Sequence, residues 1–350
     1  MTSLVIQTSF LGDMILTTPL IERLAARGPV HVVATPANAG LLDNHPAVAS
    51  VIVFDKRGTD RGLRGMQRVA RAARAVGART AYLAQGSLRT AAIARLAGIP
   101  VRVGFATSPG RLLYTRRVSF DASLHHAQRL WQLASPPGVI EPAPRVRPTL
   151  HPGARDVGQV EALLSSAGVS TGDQLIAFAP GSVWATKRWP SYAELAAMLV
   201  ARGDPGASPA HVPVRLVVLG AASDGPLASD IAAAVASQGG APVIDATGRL
   251  SLLASAVLLS RARVLVTNDS APLHLASAMN TPTLAVFGPT IPAFGFGPLA
   301  EVQEVVERRG LACRPCGAHG PQQCPLGHWR CMRDISAQSV ADRVTPLRRD

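Results

Sequence analysis

The chain has 350 residues, 47% hydrophobic but only 4% aromatic, with a net charge of +13. That length exceeds one ordinary core and predicts two domains with interiors built from Ala, Val and Leu. No apolar run is long enough to span a bilayer, and the N-terminus enters a strand pattern without a basic leader or cleavage site, which predicts the cytosol.

Residues 3–8 read as a strand and 13–26 as a helix that Pro19 bends. Strands follow at 30–35 and 51–54, a basic helix at 63–76, a strand at 80–84, a helix at 88–97 and a strand at 101–104. A proline-rich stretch, 136–152, reads as an interdomain linker. After a helix at 157–167 the alternation restarts, with strands at 175–179, 214–219, 243–245, 264–267 and 283–287. The polar insertion at 203–213 reads as mobile. Strands separated by helices predict an α/β fold: two Rossmann-like, doubly wound parallel-sheet domains facing a central cleft. Their expected limits are 1–155 and 156–335, followed by a helical tail at 336–350.

The positive charge is concentrated. Between Lys56 and Arg117 there are 14 Lys/Arg against one acid, Asp60, and the remainder balances at 21 against 21. That stretch is either a solvated face or a surface for a polyanion: nucleic acid, an acidic lipid headgroup or a phosphorylated substrate. Its aromatics, Tyr82, Phe105 and Tyr114, are not spaced as a base-stacking platform.

Three loops fall at strand carboxyl ends, where such sheets bind ligands. In Thr8-Ser9-Phe10-Leu11-Gly12-Asp13, Gly12 permits a tight turn. Asp13 is then a first-turn acid or, pointed into a cleft, a general base. In Pro180-Gly181-Ser182-Val183-Trp184-Ala185-Thr186-Lys187-Arg188-Trp189-Pro190, Gly181 lets backbone approach a ligand and Ser182 offers a hydroxyl. Lys187 and Arg188 bring positive charge, Trp189 reads as a core residue and Pro190 as a helix start. The third is a βαβ unit with the turn Asn268-Asp269-Ser270 and a helix at 272–279. Its helix N-terminus suits an anion, and His274, one turn in, leans toward the same spot. The plainer reading is that Asp269 or Ser270 caps the helix and His274 packs. A Walker loop is absent, and so is GxGxxG after the first strand, which argues against an NAD dehydrogenase.

All four cysteines cluster: Cys313-x2-Cys316, Cys324 and Cys331, with His319 and His328 among them. The spacing fits a structural zinc or iron knuckle, and buried thiols are the alternative. A disulfide framework is not expected in the cytosol.

The segments LGDMILTTP, PGSVWATKRWP, TGRLSLL and VTNDSAPLHLASAMNTPTLAVFGPT, in that order, resemble glycosyltransferase family 9, the ADP-heptose:lipopolysaccharide heptosyltransferases. Residues 82–105 are most similar to the heptosyltransferase II branch, which adds the second inner-core heptose. The resemblance implies a GT-B fold, with the lipid-linked acceptor on the first domain and the nucleotide sugar on the second. It makes Asp13 the base, with Gly12 beside it at the substrate. Ser182 and Lys187 become donor-phosphate contacts, and Asp224 the ribose ligand. Leu250 becomes the adenine contact, and Asp269, Ser270 and His274 hold the diphosphate-heptose. Relatives usually carry glycine where this chain has Ala271, whose methyl crowds the diphosphate if the backbone there needs positive φ. The resemblance also implies inverting transfer from ADP-heptose to a heptosylated Kdo–lipid A acceptor. No cofactor or catalytic metal and no nucleic acid would be involved, and the enzyme would be cytoplasmic, in peripheral contact with the inner membrane. The alternatives are a protein heptosyltransferase, a nucleotide-sugar epimerase, a basic nucleic-acid-binding module and a non-catalytic lipid A-binding relative.

Overall fold

The computed structural model describes residues 1–139, 141–142, 144–170, 172–202 and 214–347. The 203–213 insertion, with the mobility expected of it, lies outside the described residues. The chain divides into two units, Met1–His151 and Pro152–Asp350.

The first unit runs β1 (Ser3–Gln7), α1 (Leu11–Ala25), β2 (Val30–Ala34), α2 (Pro36–Ala39), β3 (Ser50–Val53), α3 (Gly62–Ala75), β4 (Thr80–Leu83), α4 (Leu88–Leu96), β5 (Val101–Phe105), β6 (Arg116–Val118) and α5 (His126–Gln132). Its six strands are all parallel, in the order β3-β2-β1-β4-β5-β6. Near-continuous β-branched runs become fully buried strands because helices cover both faces. On one face α3 and α4 pack together over Leu83, with Val69, Ala73, Ala91 and Ile93 buried between. α1 packs against α5.

Pro19 lies inside α1 and the helix continues through it. The Thr18 hydroxyl donates to the Ile15 carbonyl at 2.9 Å, the acceptor that a prolyl nitrogen at 19 leaves without its usual donor. The same hydroxyl accepts from the Thr149 N–H at 2.9 Å. Arg23 lies over the Trp131 ring at 3.5 Å and pairs with Glu141. Glu141 and Thr149 of the proline-rich stretch are thus tied to α1, and the division between the units falls after His151.

The second unit runs α6 (Ala154–Ser166), β7 (Gln174–Ala179), α7 (Tyr192–Arg202), β8 (Val214–Val218), α8 (Gly225–Ser237), β9 (Ile244–Asp245), α9 (Leu252–Arg261), β10 (Val264–Asn268), α10 (Ala271–Met279), β11 (Thr283–Phe287), β12 (Gln303–Glu307), α11 (Arg330–Arg333) and α12 (Ala337–Val344). Its parallel order, β12-β11-β10-β7-β8-β9, repeats that of the first sheet, with β7 and β10 in the places of β1 and β4. The strand order reverses once in each sheet, at β1/β4 and at β7/β10, and the carboxyl ends there leave a crevice.

Packing is tight at Gly104 of β5, where an added methyl would sit 2.3 Å from the buried Tyr114 ring. Gly104→Ala is expected to destabilise the first unit by about 1–3 kcal/mol. Thermal unfolding reads this directly, and an unchanged midpoint would contradict the packing.

Candidate active site

In the second unit the crevice is closed by Asn268, the last residue of β10. Its amide donates to the Pro180 carbonyl at 2.8 Å and accepts from the Trp189 N–H at 3.1 Å and the Tyr192 hydroxyl at 3.3 Å. One buried side chain thus fixes both ends of the 180–189 loop. Between those ends Lys187 is buried, and its Nζ donates to Asp269 Oδ2 at 2.5 Å. The same oxygen accepts from the Thr290 hydroxyl at 2.6 Å.

Neither Asp269 nor Ser270 caps α10. The Asp269 carboxylate is engaged by Lys187 and Thr290, and Ser270 occupies the N-cap position without a side-chain cap bond. The opening turn of α10 therefore keeps backbone donors and positive dipole directed at the crevice. Ala271 is the first residue of α10. Among the described residues only Asn44, Asn280 and Trp329 combine a side chain beyond glycine with positive φ, so Ala271 carries no such requirement. His274 is buried one turn in, its ring edge-on to Phe296 at 6.4 Å.

Gly181 is also required by packing. A methyl there would lie 2.3 Å from the Asp224 carboxylate, and one at Gly220 would lie 2.6 Å from it. The space at Gly181 is thus taken by Asp224, which also accepts from the Ala221 N–H at 2.9 Å. Ser182 accepts from the Trp184 N–H at 3.3 Å, and Arg188 turns back onto the Ser182 carbonyl at 2.9 Å. Leu250 is half-buried in the turn between β9 and α9. Pro190 precedes α7 rather than starting it, because the helix opens at Tyr192 with Ser191 accepting its first bond from the Leu195 N–H. Trp189 is buried, and its indole donates to the Ile335 carbonyl at 3.0 Å.

The cysteine-rich segment braces this loop from outside. The Gln322 amide accepts from the Ala185 N–H at 3.1 Å and donates to the Val183 carbonyl at 3.0 Å. Trp329 donates to the Thr186 carbonyl at 3.0 Å, and Thr186 donates to the Pro321 carbonyl. His319 stacks on Trp184, ring centres 5.8 Å apart and planes 7° apart.

Among the described residues no three of the cysteines bring their sulfurs all within 4.8 Å of one another, while Cys313 Sγ lies 3.9 Å from His328 Nε2. Among the described residues, one set of three or more His, Cys, Asp or Glu brings its ligand atoms within 4.8 Å of one another: Glu22, His45 and His151. There the His45 Nδ1 accepts from the Ala47 N–H at 3.2 Å, which leaves the ring proton on Nε2, the wrong tautomer for metal ligation through that atom. In the cysteine set, the Cys316 thiol is turned to the Cys313 carbonyl at 3.0 Å. Cys331 is buried, and burial pushes its thiol up to about 11, neighbouring cysteines adding to the effect. Burial also acts to raise Cys324, but backbone N–H groups of Trp329, Leu326, Gly327 and His328 outweigh it and hold the thiol below its ordinary value.

In the first unit the turn after β1 is made by Ser9 and Phe10. Gly12 is already helical, the second residue of α1, so the tight turn expected of it does not form there. Helix entry comes early because Asp13 accepts from the Phe10 N–H at 3.2 Å. The other Asp13 oxygen lies 3.7 Å from Nε2 of His126, the first residue of α5. Burial pushes the His126 imidazole below its ordinary value, against the pull of Asp13. The Thr8 hydroxyl donates to Gln85 at 2.7 Å across the β1/β4 crevice, and Lys56 donates to the Thr8 carbonyl. Burial, then Arg57 and Arg89, lower the Lys56 pKa. His126, Lys56, Asn268 and Thr290 were not singled out as individual site residues from sequence, although Asn268 stood in the turn motif and Lys56 in the basic stretch.

These thiol environments set an order of reactivity, since the thiolate is the nucleophile. Under limiting iodoacetamide near neutral pH, Cys324 is expected to alkylate well before Cys331. Peptide mass mapping checks this, and equal labelling of the two in the folded protein would contradict it.

Comparison with known proteins agrees with this architecture. The family model for glycosyltransferase family 9 (heptosyltransferase) matches residues 66–329. Lipopolysaccharide heptosyltransferase 2 of Salmonella typhimurium is 30% identical, over 83% of this chain and 84% of its own length. Its Escherichia coli counterpart is 28% identical over 98% of this chain and 97% of its own. The structure of E. coli ADP-heptose LPS heptosyltransferase II superposes with a TM-score of 0.78 at 26% identity, covering 99% of this chain and 98% of that one. Two six-stranded parallel Rossmann-like sheets of this order are the GT-B architecture, and the chain belongs to glycosyltransferase family 9, the heptosyltransferases.

Proposed function

We propose that the chain transfers heptose from ADP-heptose to the inner-core heptose of a Kdo–lipid A acceptor, with inversion and without a catalytic metal. The observation that carries this reading is a row of side chains along the second sheet. The order β10-β7-β8-β9 lines up Asp269, the 182–187 loop, Asp224 and Leu250. Three strand spacings span about 14 Å, comparable to an extended nucleoside diphosphate. Diphosphate at Lys187 and the start of α10, ribose at Asp224 and adenine at Leu250 follow in that order.

In the proposed reaction Asp13 takes the proton of the acceptor hydroxyl. The oxygen attacks the anomeric carbon from the face opposite the diphosphate, and the bond to ADP breaks. A single carboxylate suffices for a displacement of this kind. Burial lowers the His126 pKa and so favours a neutral imidazole beside the Asp13 carboxylate. Lys187 and the α10 N-terminus stabilise the negative charge on the departing diphosphate, a task otherwise suited to a divalent cation. Lys56, Arg57 and Arg89 around the β1 carboxyl end suit a phosphorylated acceptor.

Asp13→Asn is expected to lower kcat by about 10²–10⁴-fold, measured as heptose transfer by mass spectrometry. Transfer at near wild-type rate would remove Asp13 from the role of base. Acceptors bearing zero or one heptose, with NMR of the new anomeric centre, test acceptor choice and inversion. Consumption of ADP-heptose without acceptor would favour the epimerase.

Lys187→Met is expected to lose donor binding and, by leaving Asp269 buried without its cation, about 3–5 kcal/mol of stability. Adding Asp269→Asn should restore stability but not transfer. A double variant that transfers normally would separate this pair from catalysis.

A further inference from the structure

We propose that one corner of the first unit, formed by the starts of α3 and α4 and the 3-10 turn Arg111–Leu113, docks on an anionic lipid bilayer. This deepens the reading above and rests on it in one respect, that the acceptor is lipid-linked.

The three segments follow β3, β4 and β5, so all of them open at the carboxyl edge of the same sheet that carries Asp13. α3 packs on α4, and the 3-10 turn packs on α4. The Gly110 N–H donates to the Gly86 carbonyl at 3.1 Å, which ties the turn to the start of α4. Each segment carries a leucine outward: Leu63, Leu88 and Leu112 are 75%, 59% and 78% exposed. None of them serves a core. The helices behind them bury other residues, chiefly Val69, Ala73, Ala91 and Ile93.

Positive charge predominates at this corner, and the nearby Asp55 carboxylate is occupied by the Gly58 and Thr59 N–H groups. Arg61, Arg64 and Arg111 are exposed beside the leucines. Asp60, the one acid between Lys56 and Arg117, is buried and paired with Arg68 at 2.5 Å. Aliphatic side chains ringed by arginines match the boundary between lipid headgroups and acyl chains. They do not match single-stranded nucleic acid, which needs aromatic platforms. The occupant is therefore a bilayer with anionic headgroups, met by the edge at which a lipid-linked sugar has to reach Asp13.

The test is co-flotation of the full-length protein with vesicles of phosphatidylcholine alone or mixed with phosphatidylglycerol, beside transfer to a deacylated, water-soluble acceptor. Wild type is expected to float with the anionic vesicles and stay behind with the neutral ones. Replacing Leu63, Leu88 and Leu112 together by serine should weaken flotation at least tenfold and leave soluble transfer unchanged. Arg61→Gln with Arg64→Gln should weaken it by roughly fivefold per cation. Equal flotation of wild type and the serine variant would overturn the proposal. So would absence of flotation at low salt, or salt-sensitive RNA binding that depends on the arginines with no vesicle binding. If vesicle binding behaves as expected but wild type transfers no heptose, the enzymatic reading fails and the surface stands.

Discussion

The site of the second unit depends on one buried ion pair. Lys187 and Asp269 come from different loops and meet out of water, where each charge alone would be costly by several kcal/mol. Such a pair is tolerable only when its remaining hydrogen-bonding capacity is used, and Thr290 takes part of it. The pair gives little assurance of stability, but it does impose geometry. The ammonium is held beside a helix start whose N–H groups are not capped by a side chain. For the diphosphate proposed to bind there, the positive charge is already oriented, which is the condition for electrostatic stabilisation without reorganisation.

Holding the pair takes more structure than the pair itself. Asn268 fastens both ends of the Lys187 loop to β10. Gln322, Trp329 and His319 hold its outer side from a segment more than 130 residues downstream. The cysteines lie within that brace. Their thiols lie close enough to act on one another but in distinct environments: one turned to a carbonyl, one in a nest of N–H donors, one in the core. Preorganisation of a loop by distant packing is how a flexible connection acquires fixed geometry.

Much of this was legible in the sequence. Strands such as 264–267 and 283–287 are β-branched runs between turn residues, and their burial follows. The elements that went unread are weak in that signal. Arg116–Val118 and Gln303–Glu307 are edge strands, half exposed, with charged residues where an inner strand would be apolar. α5 follows a loop with no periodic pattern to mark it. At the site, charged and glycine residues announced themselves, because few other roles suit them in strand-end loops. Their partners did not. Asn268 and Thr290 are ordinary turn residues until the chain folds, and His126 meets Asp13 only because α1 packs on α5. Gly181 was visible as an exception but not its cause, a carboxylate from the next strand's loop.

One hydroxyl in the first unit has a wider consequence. Thr18 mends the break that Pro19 makes in α1 and also receives the backbone of Thr149, just before the chain leaves the unit. The helix bearing Asp13 is thereby the same rod that pins the exit of the polypeptide. A single hydroxyl thus closes a gap inside the helix and tethers the outgoing backbone, so its loss would undo both at once.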